Sequence, residues 1–233
     1  MATPQTHRYG DHPEQVADLL LPDDVADTDT DTGALGDGVV VLIHGGFWRK
    51  RYTRDLMAPL ARDLAARGVP SWNVEYRRLH TGGGWPTTAQ DVAAAIEHLR
   101  TVIGRTPAAA VGHSAGGHLA LCVAAHVPRV VAQAPVTDLV EAARMDLGQG
   151  VVAKFAGDRL ADASPITHAP LPARILLVHG TADELVPHRQ SERFAARGGD
   201  VTLALRPGEG HMEHVDPRSG AWAQAVAWLT SSG

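Results

Sequence analysis

From Val39 onward, runs of apolar residues with strand character alternate with segments whose apolar positions recur at a helical period. Val39–Ile43 is an unbroken β-branched and aliphatic run, the pattern of a strand buried on both faces. The stretch 54–66 places Leu56, Leu60 and Leu64 on one helical face and ends at Gly68, which predicts a helix. Residues 69–76 read as a strand, and 86–103 as a helix with Val92, Ala95, Ile96, Leu99 and Val102 inward. Further strands are predicted at 108–111, 129–133, 174–178 and 201–205, and helices at 117–124, 187–197 and 221–230. Such alternation argues for an α/β fold, a parallel sheet with helices on both faces. Two stretches depart from it. Residues 15–21 read as an antiparallel edge strand, within an N-terminal arm and edge hairpin over 1–38. Residues 137–171 are irregular, a short lid-like insertion. No internal repeat is visible, and the chain reads as a single domain over 1–233.

Four of these strand ends carry chemistry. Gly112-His113-Ser114-Ala115-Gly116 joins a short strand to a tightly packed helix. A sharp turn there strains the serine, and the two glycines let strand and helix approach closely. Ser114 is then exposed above the sheet, with the Ala115 N–H at a helix N-terminus. A serine hydroxyl is a weak nucleophile until a histidine takes its proton and a carboxylate fixes the histidine's tautomer. Asp183 follows the strand 175–178 in a turn of small residues, and His211 follows the strand 201–205 in Gly208-Glu209-Gly210-His211. In a parallel sheet all these turns lie at the carboxyl edge, where ligands bind in open α/β folds. His44-Gly45-Gly46-Phe47-Trp48 ends the first long strand, and its glycines let backbone N–H groups reach a substrate oxygen. The oxyanion donors are assigned to Gly46 or Phe47 together with Ala115. Trp48 is expected as an apolar wall of the substrate pocket, with Tyr76 lining it and Trp85 at its rim.

Composition narrows the class. The 233 residues are 44% hydrophobic and 20% charged, with a formal net charge of −5, which gives no reason to expect nucleic acid or an anionic membrane as partner. Cys122 is the single cysteine, which excludes an intrachain disulfide and a paired-cysteine metal site; it reads as a buried, inert thiol. Neither an apolar leader nor an apolar run near the length of a membrane span occurs, so a soluble cytoplasmic protein is expected. Asp27, Asp29 and Asp31 alternate as at the start of a calcium loop, but Thr32 stands where such a loop needs glycine and Gly38 where it needs its closing glutamate. A mobile acidic loop is the better reading, and no metal is expected.

These motifs together resemble the α/β-hydrolase superfamily. The His44–Trp48 loop and the stretch from Gly112 to Leu119 look like its kynurenine formamidase and small-carboxylesterase branch. The resemblance runs from about Tyr9 to the C-terminus, including Tyr9-Gly10 and Ser164-Pro165. It implies an eight-stranded, mostly parallel sheet, a small lid, and an acyl-enzyme mechanism without cofactor. Phe47 stands where the hormone-sensitive-lipase branch has a further glycine, which argues against carrying over that branch's substrates.

Every assignment has a plainer rival. Ser114 also suits an ordinary helix N-cap. Asp138, just after the strand 129–133, competes with Asp183 for the orienting acid, and Glu184 is its neighbour. His214 competes with His211, and the two make no convincing zinc site. With thirteen histidines in the chain, His44 reads as bracing its loop, His113 and His118 as packing, and His179 as holding the Asp183 turn. Glu75 suits an ion pair with an arginine. The expected activity is hydrolysis of a small-molecule ester or aryl-formamide. Rival readings are a peptidase or amidase, which would normally need an extended groove or gating domain, an acyl-transfer enzyme, and a non-catalytic ligand-binding protein of the same fold. Monomer and homodimer remain equally open.

Overall fold

The computed structural model describes residues 3–22 and 35–231. The acidic segment from Asp27 to Thr32 lies outside them. In chain order the elements are β1 (Gln5–Arg8), β2 (Val16–Leu20), β3 (Val39–Ile43), α1 (Ala58–Ala66), β4 (Ser71–Val74), α2 (Thr87–Thr101), β5 (Pro107–His113), α3 (Ala115–Cys122), β6 (Arg129–Gln133), α4 (Leu139–Arg144), α5 (Val151–Ala156), α6 (Pro165–His168), β7 (Arg174–Gly180), α7 (Arg189–Ala195), β8 (Val201–Arg206) and α8 (Gly220–Thr230).

The strands form one sheet in the order β1-β2-β4-β3-β5-β6-β7-β8. Pairing is antiparallel from β1 through β2 to β4 and parallel from β4 to β8. This is the α/β-hydrolase fold, the eight-stranded, mostly parallel architecture expected. Alternation along β3 explains its unbroken apolar run. Val39, Val41 and Ile43 join the core beneath α2 and α3, while Val40 and Leu42 join a second core under α1 and α8. With both faces covered, every residue of β3 is buried.

Several expectations are corrected. Residues 15–21 do not form the edge: β2 lies between β4 and β1, and the outermost strand is the polar Gln-Thr-His-Arg of β1. The helix expected over 54–66 is a 3-10 turn, Arg54–Met57, followed by α1, with Pro59 in the first turn of the α-helix proper. Val102 was placed on the inner face of α2, but that helix ends at Thr101 and Val102 is 67% exposed. The irregular stretch 137–171 contains three short helices, α4, α5 and α6.

Close packing at β5 and α3 places the site. Every residue from Ala115 to Leu121 is buried, so this helix has no solvent face. A Cβ at Gly112 would run into the Gly116 carbonyl, and one at Gly116 into the carbonyls of Ile43 and His44. The glycines two positions either side of Ser114 therefore let α3 sit directly against β5 and β3.

Candidate active site

Ser114 occupies the turn between β5 and α3 with φ 57° and ψ −118°, a conformation that costs an L-residue about 1–3 kcal/mol. Its N–H donates to the Gln133 carbonyl at 2.8 Å, pinning the turn to the end of β6. Its Oγ is buried and has no hydrogen-bond partner. No Ser114–His211 hydrogen bond is therefore made in this conformation; between a candidate nucleophile and base such a bond is often long or unmade before a substrate is bound.

Asp183 and His211 are joined. His211 Nδ1 donates to Asp183 Oδ2 at 2.7 Å. The other carboxylate oxygen accepts the Leu185 and Val186 N–H groups at 2.9 and 2.8 Å. Burial raises the Asp183 carboxyl, but hydrogen bonds from His179, His211 and the Val186 N–H outweigh it and hold the group far below the usual carboxylate range. Asp183 is therefore ionised, and its bond fixes the His211 proton on Nδ1, which leaves Nε2 a bare lone pair. The two loops are zipped together. Thr181 N donates to Arg206 O and Ala182 N to Glu209 O, each at 3.0 Å.

The rival residues lie elsewhere. Asp138 caps α4 by accepting the Glu141 N–H at 2.9 Å and pairs with Arg193 at 3.0 Å. Glu184 is exposed. His214 is fully buried with neither ring nitrogen hydrogen-bonded, and burial lowers it to about 3, so it is neutral. His179 accepts from or donates to Ser191 through Nδ1 and donates through Nε2 to the Val186 carbonyl at 2.8 Å, bracing the Asp183 turn.

The loop after β3 runs along the elbow. A Cβ at Gly45 would lie 2.7 Å from the His113 carbonyl and 3.0 Å from Ser114 Cβ. Gly46, Phe47 and Trp48 all have positive φ, at 105°, 51° and 52°. The N–H groups of Phe47 and Ala115 donate to no protein acceptor among the described residues, so both are free to receive an anionic oxygen.

Two pocket expectations are corrected. Trp48 is fully buried, stacked on Phe155 at 4.1 Å between centroids and edge-on to His118. The positive φ values turn it inward, leaving no surface for a substrate. Tyr76 is likewise sealed, stacked on His44 at 4.3 Å with its hydroxyl donating to the His44 carbonyl at 2.7 Å. Trp85 is half-buried, and its Nε1 donates to Asp162 at 2.6 Å. Phe47, half-buried, is the aromatic that reaches outward, beside Gly148 of the loop joining α4 to α5. Arg49 donates to the Gly148 carbonyl, latching that loop to the one after β3. This latch was not legible in the sequence, since nothing local ties residue 49 to residue 148.

A strained serine above a mostly parallel sheet, with a histidine–carboxylate pair on the neighbouring loops, defines the α/β-hydrolase class. The chain belongs to the prolyl oligopeptidase family, whose model matches residues 76–231 and so begins after the His44–Trp48 loop. No curated protein sequence matches it. Among solved structures it is similar to esterase B from Lactobacillus rhamnosis (22% identity, covering 98% of this chain and 86% of that one, TM-score 0.78). It is also similar to a truncated carbohydrate esterase from gut microbiota (20%, 98% and 95%, TM-score 0.77) and to esterase 2 from Thermogutta terrifontis (20%, 97% and 91%, TM-score 0.74). Among the described residues, no helix is long and apolar enough to cross a membrane, and no three His, Cys, Asp or Glu are placed to hold a metal.

Proposed function

We propose that the protein is a serine hydrolase that cleaves a small carboxylic ester or aryl-formamide through an acyl-enzyme. The observation that carries this reading is the 2.7 Å bond from His211 Nδ1 to an ionised Asp183, on the loop beside the Ser114 turn. Ser114 Oγ attacks the substrate carbonyl carbon as its proton passes to His211 Nε2. The N–H groups of Phe47 or Gly46 and of Ala115 receive the oxygen that becomes negative. His211 then gives its proton to the leaving alcohol or amine as that bond breaks. A water, losing its proton to Nε2, attacks the acyl carbon; the acid leaves and the Ser114 hydroxyl is restored. Asp183 stays ionised throughout and stabilises the His211 imidazolium.

Support for an ester substrate comes from solved structures of similar fold, which include several esterases, among them esterase B inhibited by a tributyrin phosphonate. The half-buried Phe47 beside the oxyanion donors favours a compact acyl or aryl group. Peptidase or amidase activity has one observation behind it, the prolyl oligopeptidase family match. A panel of p-nitrophenyl acetate, N-formylkynurenine and a peptide p-nitroanilide separates these. The reading expects turnover of the acetate or the formamide in preference to the anilide. Cleavage of the anilide alone overturns it in favour of the peptidase.

A further inference from the structure

A cavity of about 260 Å³ lies between α4 and α7, and neither Ser114, Asp183 nor His211 lines it. Arg144, Arg189 and Arg193 share its wall with Glu141 and with the apolar Met145 and Pro187. This concentration of positive charge stands on a chain whose formal net charge is −5. Two of the guanidiniums are neutralised within the protein. Arg144 grips both Glu141 oxygens, Nε to Oε2 at 2.9 Å and Nη2 to Oε1 at 2.8 Å, and Arg193 Nη2 lies 3.0 Å from Asp138 Oδ2. Arg189 makes no ion pair among the described residues; Glu192, three positions on, faces His188 at 3.8 Å instead. Arg189 still belongs to the cluster, because Arg144 first, then Arg193 and Arg189, hold the Glu141 carboxyl below its ordinary value. The wall itself is fixed. Gln190, which lines the cavity, is buried; its Oε1 accepts the Thr137 and Asp138 N–H groups at 3.0 and 2.8 Å. Its Nε2 donates to the Asp138 carbonyl at 3.3 Å, so α7 is tied to the connection between β6 and α4 and the cavity is preformed.

We propose that this cavity binds the carboxylate of a small acid, whose short apolar stem lies against Met145 and Pro187. Charge selects the ligand. One unpaired guanidinium calls for one negative charge, which a carboxylate supplies and a dianionic phosphate exceeds. The planar fork of Arg189 also matches the two oxygens of a carboxylate. Size selects it too, since the cavity falls below the range of about 300–1,000 Å³ that holds drug-sized ligands. The segments that wall the cavity also shape the candidate active site. Pro187 follows Val186, whose N–H holds Asp183, and Met145 stands three residues before Gly148, which lies against Phe47. The carboxylate is therefore carried either by the substrate itself, reaching across from the Ser114 turn, or by a separate small acid bound beside it. Only the first of these sources rests on the hydrolase reading above.

The test is NMR of the methionine methyl groups in the full ¹³C-methyl-labelled chain, with hexanoate as the probe. Met145 lines the cavity and Met212 adjoins His211, so their signals report the two places separately; Met145→Leu and Met212→Leu assign them. Hexanoate should shift the Met145 signal saturably, with a Kd on the order of millimolar, and 1-hexanol should not. Arg189 is exposed, so Arg189→Gln should fold, and hexanoate should bind it about tenfold or more weakly. The source of the carboxylate is read from kcat/KM on mono-p-nitrophenyl glutarate against p-nitrophenyl valerate, whose acyl chains match in length. If the substrate carries it, the wild type prefers the glutarate about tenfold or more, and Arg189→Gln loses that preference. No preference, or one that survives Arg189→Gln, assigns it to a separate acid when the Met145 shift is intact. A Met145 signal that does not move overturns the proposal, as does an equal shift with hexanol or an unchanged response in Arg189→Gln. Tighter binding of inorganic phosphate than of hexanoate overturns it as well. The titration needs no turnover, so a chain that binds hexanoate but hydrolyses no ester keeps the cavity site and loses the hydrolase reading.

Discussion

His113 Nε2 donates to the His211 carbonyl at 2.9 Å, tying the residue before Ser114 to the backbone of the proposed base. The two rings are tilted against each other at 4.6 Å. Because a carbonyl only accepts, the His113 proton sits on Nε2. Burial holds His113 well below its ordinary value and hence neutral. His113→Leu removes this tether. A loss in kcat of about tenfold or more is expected from the resulting displacement of the base, while His113→Gln, which keeps an N–H, should recover part of it. Equal activity in both variants would show that the bond positions nothing.

His211 and His214 are separated by their surroundings and not by their position in the chain. Only His211 is bonded to Asp183. Replacing it by alanine should lower kcat by about four orders of magnitude, measured per molecule of folded protein. His214→Ala should lower the melting temperature, since the ring is fully buried, yet keep kcat within about threefold of wild type. The reverse order of the two losses would reassign the base.

Acid should destabilise the fold earlier than its carboxylates alone require. Burial lowers His118 to about 4 and His214 to about 3, and lowers His113 well below the ordinary range. In the unfolded chain each titrates near about 6.5, so unfolding takes up protons below that pH and stability falls as pH drops. By pH 5 the loss is about 2 kcal/mol for each such histidine. The contribution of Asp183 has the same direction but a lower window. Its carboxyl is depressed in the fold, so its stabilisation is complete above about pH 4 and is lost only below that. Urea unfolding at pH 8, 6.5 and 5 should give free energies that change little over the first step and drop sharply over the second. A flat profile from 8 to 5 would contradict the neutral burial of these rings.

Gly148 keeps the α4–α5 loop against Phe47. Its φ is 67°, and a Cβ there would lie 2.6 Å from Val151 Cγ1 and 3.0 Å from Phe47 Cδ1. Gly150 has a similar φ of 76° with open space around it. Both alanine variants should lose about 1 kcal/mol to backbone strain. Gly148→Ala alone should also slow ester hydrolysis, because the displaced ring belongs to Phe47, whose N–H is a proposed oxyanion donor. Parallel melting curves and kcat values test the difference.

The strands β3 and β7 and the Ser114 turn were legible because their signals are local: unbroken apolar runs, and glycines two residues either side of a serine. β1 was not, since Gln-Thr-His-Arg carries no apolar alternation and is held as a strand by its pairing with β2. Asp183 and His211 could be read from strand ends and chain order. The aromatics could not. Trp48 looked like a pocket wall beside two glycines, but positive φ at Phe47 and Trp48 turns it inward onto Phe155, a partner no local pattern reveals. The same holds for His44 and Glu75, which meet because β3 and β4 are parallel neighbours, so their ends lie side by side.

The most direct test of Ser114 as nucleophile is intact-mass analysis after treatment with a fluorophosphonate, paired with p-nitrophenyl acetate hydrolysis. One adduct per chain should form, map to Ser114 and abolish turnover, and Ser114→Ala should form none and hydrolyse no ester while melting as the wild type does. Failure of the wild type to label, or substantial turnover in a clean preparation of Ser114→Ala, would contradict the account.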